Sequence, residues 1–187
     1  MLLIRMSLQS LVDNTRTDKN TSHSYLPVYE RLFSDKKDTA THVLEIGIAL
    51  GGSIKLWNDF FPEAKIIGVD IYPVSQYPQD ISNKLLYPRI NLYSIDAYGE
   101  KFPKLIDVPL DIVIDDGPHT LESQIQCLQL FLPKLKPQGI LIIEDIQDIR
   151  HIAILQQNVP KDYTTEVHDL RNKKNRPDDI LFIVHKI

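Results

Sequence analysis

The stretch THVLEIGIALGGSIKLW, residues 41–57, decides how this chain is read. An apolar run ends in Glu45-Ile46-Gly47, a loop of small residues follows, and a helical pattern begins near Ser53. Buried strand, tight turn and helix in that order open a nucleotide-binding α/β unit. The loop Gly47-Ile48-Ala49-Leu50-Gly51-Gly52 is neither G-x-G-x-x-G nor G-x-G-x-G, because Ala49 fills one glycine position. Taken alone, it allows a dinucleotide, another adenosine cofactor, or only a turn.

Five short apolar runs punctuate the chain: HVLEIG (42–47), KIIGVD (65–70), RINLYS (89–94), LDIVID (110–115) and GILIIE (139–144). Each is β-branched and nearly continuous in hydrophobicity, as parallel strands buried on both faces are. Helical patterns at 51–61, 98–106 and 119–133 separate them, and another at 147–156 follows the fifth. Alternating strands and helices imply a doubly wound parallel sheet. Two final runs, 162–169 and 178–186, flank the turn-rich LRNKKNRP and predict an antiparallel pair. The expected fold is therefore α/β: a doubly wound, seven-stranded Rossmann-like sheet of five parallel strands plus a C-terminal antiparallel hairpin. Residues 13–24 are polar and predict a loop or cap, and YLPVYERLF predicts a helix within 25–34. The expected division is an N-terminal helical cap segment, 1–34, and a cofactor-binding domain, 35–187.

Composition narrows the function classes. The chain has 187 residues, 43% hydrophobic and 25% charged, with net charge −4. That balance gives no electrostatic footprint for nucleic acid or an anionic membrane. The basic RNKKNR (171–176) reads as a solvated loop. A single cysteine, Cys127, excludes an internal disulfide, reads as a small core residue and fits a cytoplasmic setting. MLLIRMSL is too short and too interrupted, by Arg5, for a secretory leader, and no apolar run reaches the ~18 residues of a membrane span. Met1 and Met6 both serve as candidate starts.

Ligands of open α/β sheets bind at the carboxyl ends of the strands. Every run here closes on or near a carboxylate: Glu45, Asp70, Asp96, the Asp115–Asp116 pair, and the Glu144–Asp145 pair. Asp70 is placed to accept from ribose hydroxyls. Glu45 before the glycine loop disfavours a pyrophosphate and favours a cofactor carrying an ammonium and a sulfonium. Asp96 is placed to accept from an adenine amino group. These residues point to S-adenosylmethionine.

The chain resembles class I S-adenosylmethionine-dependent methyltransferases in VLEIGIALGG, IIGVDIYP, INLYSIDAY, LDIVIDDGPHT and KPQGILIIEDIQD. The resemblance implies cofactor contacts at Glu45, Gly47, Asp70 and Asp96, with Gly51, Ile71 and Ala97 beside them. Ala49 departs from the usual second glycine.

If β-runs four and five are neighbours, Asp115, Asp116, Glu144 and Asp145 come together. Such carboxylates repel and raise one another's pKa, and a hard divalent cation relieves this. An all-oxygen set suits Mg²⁺ rather than zinc. DDGPH and IED are similar to the metal-dependent O-methyltransferases that act on macrolide sugars, and TDKNTSHSYLPVYE (17–30) resembles their N-terminal Asp-Lys…His…Tyr…Tyr segment. That resemblance implies metal ligands Asp115, Glu144 and Asp145, with Asp116 a neighbour, and a small-molecule hydroxyl acceptor. His119 and Asp115 are the catalytic candidates, His119 as general base; the alternative for His119 is only to orient Asp116. His168 is a second base candidate.

Two other readings stay open: a non-catalytic subunit of the same fold, and an NAD-dependent reductase, which lacks its Tyr-x-x-x-Lys pair here. The acceptor is not legible. The loop 72–88 (YPVSQYPQDISNKLLYP) is the main candidate for contacting it. The short chain leaves three arrangements open: a wide-open site, a lid from residues 10–35, or a lid from a second copy in a homo-oligomer.

Overall fold

The computed structural model describes residues 6–187. The readings that involve Met1 to Arg5, the leader and the first start, lie outside the described residues. Strands β1 (His42–Ile46), β2 (Lys65–Asp70), β3 (Ile90–Ser94), β4 (Leu110–Asp115) and β5 (Leu135–Ile143) are mutually parallel. β7 (Ile180–Lys186) runs antiparallel between β5 and β6 (Tyr163–Asp169), giving the order β3-β2-β1-β4-β5-β7-β6. The expected seven-stranded sheet with its C-terminal antiparallel pair is present.

The central strands β1, β2, β4, β5 and β7 are apolar on both faces, and both faces of the sheet are covered there. Val43, Ile66, Ile112, Ile114, Ile142 and Ile183 pack with Phe33, Trp57, Phe60 and Phe61 on one side. Leu44, Val69, Val113, Leu141 and Phe182 pack with Phe102, Cys127 and Phe131 on the other. Helix α1 (Leu8–Leu11), α2 (Leu26–Phe33) and α3 (Gly52–Phe60) lie on the first side. Short α4 (Gln79–Ser82) adds Ile81 to it; α5 (Lys101–Leu105), α6 (Leu121–Phe131) and α7 (His151–Gln157) build the second.

Element ends follow local chemistry. Thr120 caps α6 by accepting from Ser123 N–H at 3.1 Å. Pro133 falls in the 3₁₀ turn Leu132–Lys134, so α6 stops earlier than its apolar pattern suggests. β5 starts at Leu135 rather than at 139, with a register shift between Leu110 and Ile112. Residues 95–100 stay a loop because Asp96 Oδ1 accepts from Tyr98 N–H at 2.9 Å.

One expectation needs correction. RNKKNR is not merely a solvated turn: it forms the one-turn helix α8 (Arg171–Lys174), and Lys174 Nζ donates to the carbonyls of Asn20, Thr21 and His23 at 2.5, 2.9 and 2.5 Å. A lysine aimed at three carbonyls fastens the N-terminal segment to the C-terminal strands. The N-terminal helix packs on the core: Tyr25, Tyr29 and Phe33 are fully buried, and Tyr29 and Phe33 meet the Trp57 ring edge-on at 5.4 and 5.6 Å. No helix among the described residues is long and apolar enough to cross a membrane.

Candidate active site at the strand ends

Strand order reverses between β1 and β4, and a cleft of about 960 Å³ opens there at the carboxyl edge. Small-molecule sites span roughly 300–1,000 Å³. The glycine loop floors the cleft. Gly47, with φ +88°, leaves β1 under the Asp115-Asp116-Gly117 turn, and a Cβ there would stand 2.0 Å from the Asp116 carbonyl oxygen. Glycine is thus enforced at 47 by both conformation and space. Ala49 adopts φ +44°, a left-handed backbone that costs a non-glycine residue about 1–2 kcal/mol. The departure from glycine is therefore held under strain rather than avoided.

Asp70 ends β2 and braces the loop: Oδ2 accepts from Ile48 N–H at 2.9 Å and Oδ1 from Tyr72 N–H at 3.3 Å. Ile71, Asp96 and Ala97 line the same end of the cleft. Gly51 opens α3 at φ +71°, behind the loop, where a Cβ would strike Ile81 Cδ1 at 2.3 Å.

Glu45 is not at the cleft surface. It shares the strand face of Val43, has no exposure, and accepts from Trp57 Nε1–H at 2.9 Å. Burial raises its pKa, against the opposing pull of Lys19.

The second constellation gathers around Lys19. Its ammonium, 1% exposed, donates to Asp116 Oδ2 at 2.7 Å and to both Glu144 oxygens at 2.6 and 2.8 Å, with Glu45 Oε1 3.3 Å away. Burial alone would lower the Lys19 pKa, but Asp116, Glu144 and Glu45 hold it charged. Tyr29 donates to Glu144 Oε1, and Tyr25 donates to Asp145 Oδ1 at 2.5 Å. His23, buried and stacked on Tyr25 at 4.7 Å, puts Nδ1 3.3 Å from Asp145 Oδ1. Burial, then Asp116, pushes Asp145 up to about 6 and Glu144 well above the carboxylate range. Three carboxylates, Glu45, Asp116 and Glu144, thus share one ammonium, with Asp145 beside them, an arrangement short of positive charge.

His119 faces this group at φ +57° and 29% exposure. Its Nε2 lies 3.9 Å from Asp116 Oδ1 and 3.8 Å from Asp145 Oδ2, too far to orient either by a hydrogen bond. Asp116, His119 and Asp145 form one set whose ligand atoms lie within 4.8 Å, and Glu45, Asp116 and Glu144 form another. Asp115, expected among the ligands, is in neither. It follows Val113 to the opposite face of β4, where it accepts from Tyr98 O–H at 2.5 Å. Burial pushes it up to about 6. His168 lies on β6 between Arg31 and Glu166, away from the cleft lining.

Of the residues singled out from sequence, Gly47, Asp70, Ile71, Asp96, Ala97, Asp116, His119 and Asp145 line the cleft. Glu144 sits behind it on Lys19, and Glu45, Gly51 and Asp115 support it from the core or the turn. Lys19, Tyr25 and Tyr29 entered only through the resemblance of residues 17–30, with no role given to them, and Tyr98 was not singled out. The Lys, His and paired Tyr spacing of residues 17–30 was the available signal for three of them.

Residues 44–146 match the family described as a methyltransferase domain. The chain is 31% identical over 142 residues to the 8-demethyl-8-alpha-L-rhamnosyl tetracenomycin-C 2'-O-methyltransferase of Streptomyces olivaceus, covering 70% of this chain and 35% of that protein. It is 30% identical over 131 residues to the mycinamicin VI 2''-O-methyltransferase of Micromonospora griseorubida, covering 66% and 32%. The chain thus spans about a third of the length of these relatives. A solved structure of the MycE methyltransferase from the mycinamycin biosynthetic pathway, in complex with Mg and SAH, superposes with TM-score 0.76 and 26% identity, over 97% of this chain and 55% of that one. With the glycine loop, the acidic strand ends and the sheet order all in place, this chain belongs to the methyltransferase-domain family.

Proposed function

We propose that this chain is an S-adenosylmethionine-dependent O-methyltransferase, assisted by Mg²⁺, acting on a hydroxyl of a sugar or similar natural-product molecule. The observation that carries the reading is the acidic cluster of Asp116, Glu144 and Asp145, which falls in two ligand-capable sets joined at Asp116, beside a glycine-floored cleft in a chain similar to sugar O-methyltransferases.

The residues fit both groups. Gly47 leaves a cradle that any side chain would fill, and Asp70, Ile71, Asp96 and Ala97 line it. These would hold the cofactor. Asp116, Glu144 and Asp145 would hold the metal, with Asp116 taking the place expected of Asp115; an oxygen-rich donor set suits a hard cation. When bound, S-adenosylmethionine supplies the methyl group, and the metal acidifies and orients the acceptor hydroxyl.

The chain's own residues do the rest. His119 Nε2 faces the acidic group from the open side and accepts the hydroxyl proton. Tyr25 and Tyr29 fix the Asp145 and Glu144 carboxylates by donating to them. Residues 14–18 line the cleft from the N-terminal segment. The division into a cap of residues 1–34 and a cofactor-binding domain of 35–187 belongs to the same proposal. So do a cytoplasmic location, a small acceptor rather than nucleic acid or membrane, and a homo-oligomer as the source of a further lid; the net charge of −4 supports the small acceptor.

Calorimetry should register S-adenosylhomocysteine binding, and labelled methyl should pass to a rhamnosylated polyketide in a reaction that EDTA stops. Turnover indifferent to EDTA would remove the metal. No transfer to any glycosylated acceptor, with cofactor binding intact, would leave a binding subunit instead.

A further inference from the structure

We infer that Asp115 is a positioning residue: it holds the Tyr98 hydroxyl, and through it the Asp96–Tyr98 wall of the cleft, while Asp116 alone of the doublet serves the acidic group. The inference rests on the proposed cofactor reading for what the wall touches.

Two features meet at the Tyr98 hydroxyl, and a third ties Tyr98 to the cleft. Asp115 Oδ1 accepts from it at 2.5 Å, and Asp115 is 3% exposed, so the carboxylate has no water to exchange for this bond. Gly117 has no side chain where a Cβ would stand 2.2 Å from that hydroxyl and 3.1 Å from Asp115 Oδ1. The glycine of DDG is therefore the space into which Tyr98 reaches. Tyr98 itself lines the cleft beside Asp96 and Ala97, and its N–H is held by Asp96 Oδ1 at 2.9 Å.

The consequence is a mechanical tie. The loop after β3 carries Asp96 and Ala97, and β4 pairs with β1 and not with β3. No sheet hydrogen bond links the two strand ends. The Tyr98–Asp115 bond spans the gap and joins the cofactor wall to the turn that carries Asp116. Adjacent acidic residues on opposite faces of one strand end thus serve different ends: Asp116 faces Lys19 and the acidic group, and Asp115 faces Tyr98.

The test compares Asp115→Asn, Asp115→Ala and Tyr98→Phe with the unaltered chain, and Asp116→Asn as a control. Asparagine keeps an oxygen that accepts from Tyr98; alanine does not. Hydrogen exchange of amides 95–99 in the cofactor-free protein should rise in Asp115→Ala and Tyr98→Phe but not in Asp115→Asn. S-Adenosylhomocysteine should bind about tenfold more weakly to the same two variants, the size of a lost hydrogen bond to a charged group. Mn²⁺ should bind all three within about twofold of the unaltered chain and fail on Asp116→Asn. Loss of Mn²⁺ binding in Asp115→Asn would make Asp115 a ligand and overturn the inference. So would unchanged exchange in both Asp115→Ala and Tyr98→Phe, and Tyr98→Phe keeps the test alive if the alanine variant does not fold. Absence of S-adenosylhomocysteine binding by the unaltered chain would strike the cofactor reading instead, with the exchange pattern still judging the tie.

Discussion

Lys19→Met is the most informative single change. Methionine keeps most of the stem and deletes the ammonium. The three carboxylates within 3.3 Å then lose the cation they share in a place where Lys19 and Glu45 have essentially no exposure. Stripping one partner from a buried ion group costs about 3–5 kcal/mol, because the remaining charge is stranded. At roughly 2–4 °C per kcal/mol for a chain of this size, Tm should fall by about 6–20 °C in a calorimetric scan at pH 7.5 with EDTA.

The pH dependence separates this cause from lost packing. Burial already raises Glu144 and Glu45, and removing Lys19 raises them further. A carboxyl whose folded pKa lies above its unfolded value keeps its stabilising contribution at low pH and loses it as pH rises through the folded pKa. The gap between Lys19→Met and the unaltered chain should therefore narrow at pH 5 and widen at pH 8. Adding Glu144→Gln should recover part of the loss, since charge and counter-charge then leave together. A fall under about 2 °C, or a gap constant across pH, would refute the claim that the ammonium neutralises this cluster.

The remaining tests address the cleft. The double change Glu144→Gln, Asp145→Asn should leave S-adenosylhomocysteine affinity within about threefold while lowering methyl transfer at least about a hundredfold, as loss of metal ligands does; a proportional loss of both in calorimetry and turnover would count against separate cofactor and metal ends. Gly47→Ala should cost at least about 1–3 kcal/mol in urea melts and weaken both ligands, because its Cβ displaces the Asp116 carbonyl 2.0 Å away. Asp145 is pushed up to about 6 by burial and Asp116, so protons compete for the site below that value. Mn²⁺ affinity should accordingly rise between pH 5 and 7, by about tenfold in titration. Without metal, stability should move the other way: the raised Asp115 and Asp145 favour the fold below about pH 4 and lose that contribution as pH passes 6. Denaturant melts in EDTA at pH 5 and 7 read the sign directly.

The sheet was legible because its strands are short, β-branched and apolar on both faces, and strand ends follow directly from where such runs stop. That same property hid the division of labour in DD. An amphipathic strand announces its faces by alternation; in LDIVID, Ile112 and Ile114 face one core and Val113 the other, and all are equally apolar. Nothing in the string says which aspartate turns toward the acidic group. Only the packing partners decide: Trp57 and the N-terminal helix on the side of Glu45, Asp116 and Glu144, and Tyr98 with Cys127 on the side of Asp115. The same limit explains Lys19. A lysine in DNTRTDKNTSHS has the local signature of a solvated loop, and its burial comes from Asp116 and Glu144, 97 and 125 residues away. A cluster with too much negative charge demands a cation from somewhere. The sequence made that demand visible at DDGPH and IED, and a metal was the nearest answer. The fold supplies part of it from its own chain through Lys19, and the metal proposed at Asp116, Glu144 and Asp145 would supply the rest, approached from the cleft side where Asp116, Asp145 and His119 lie.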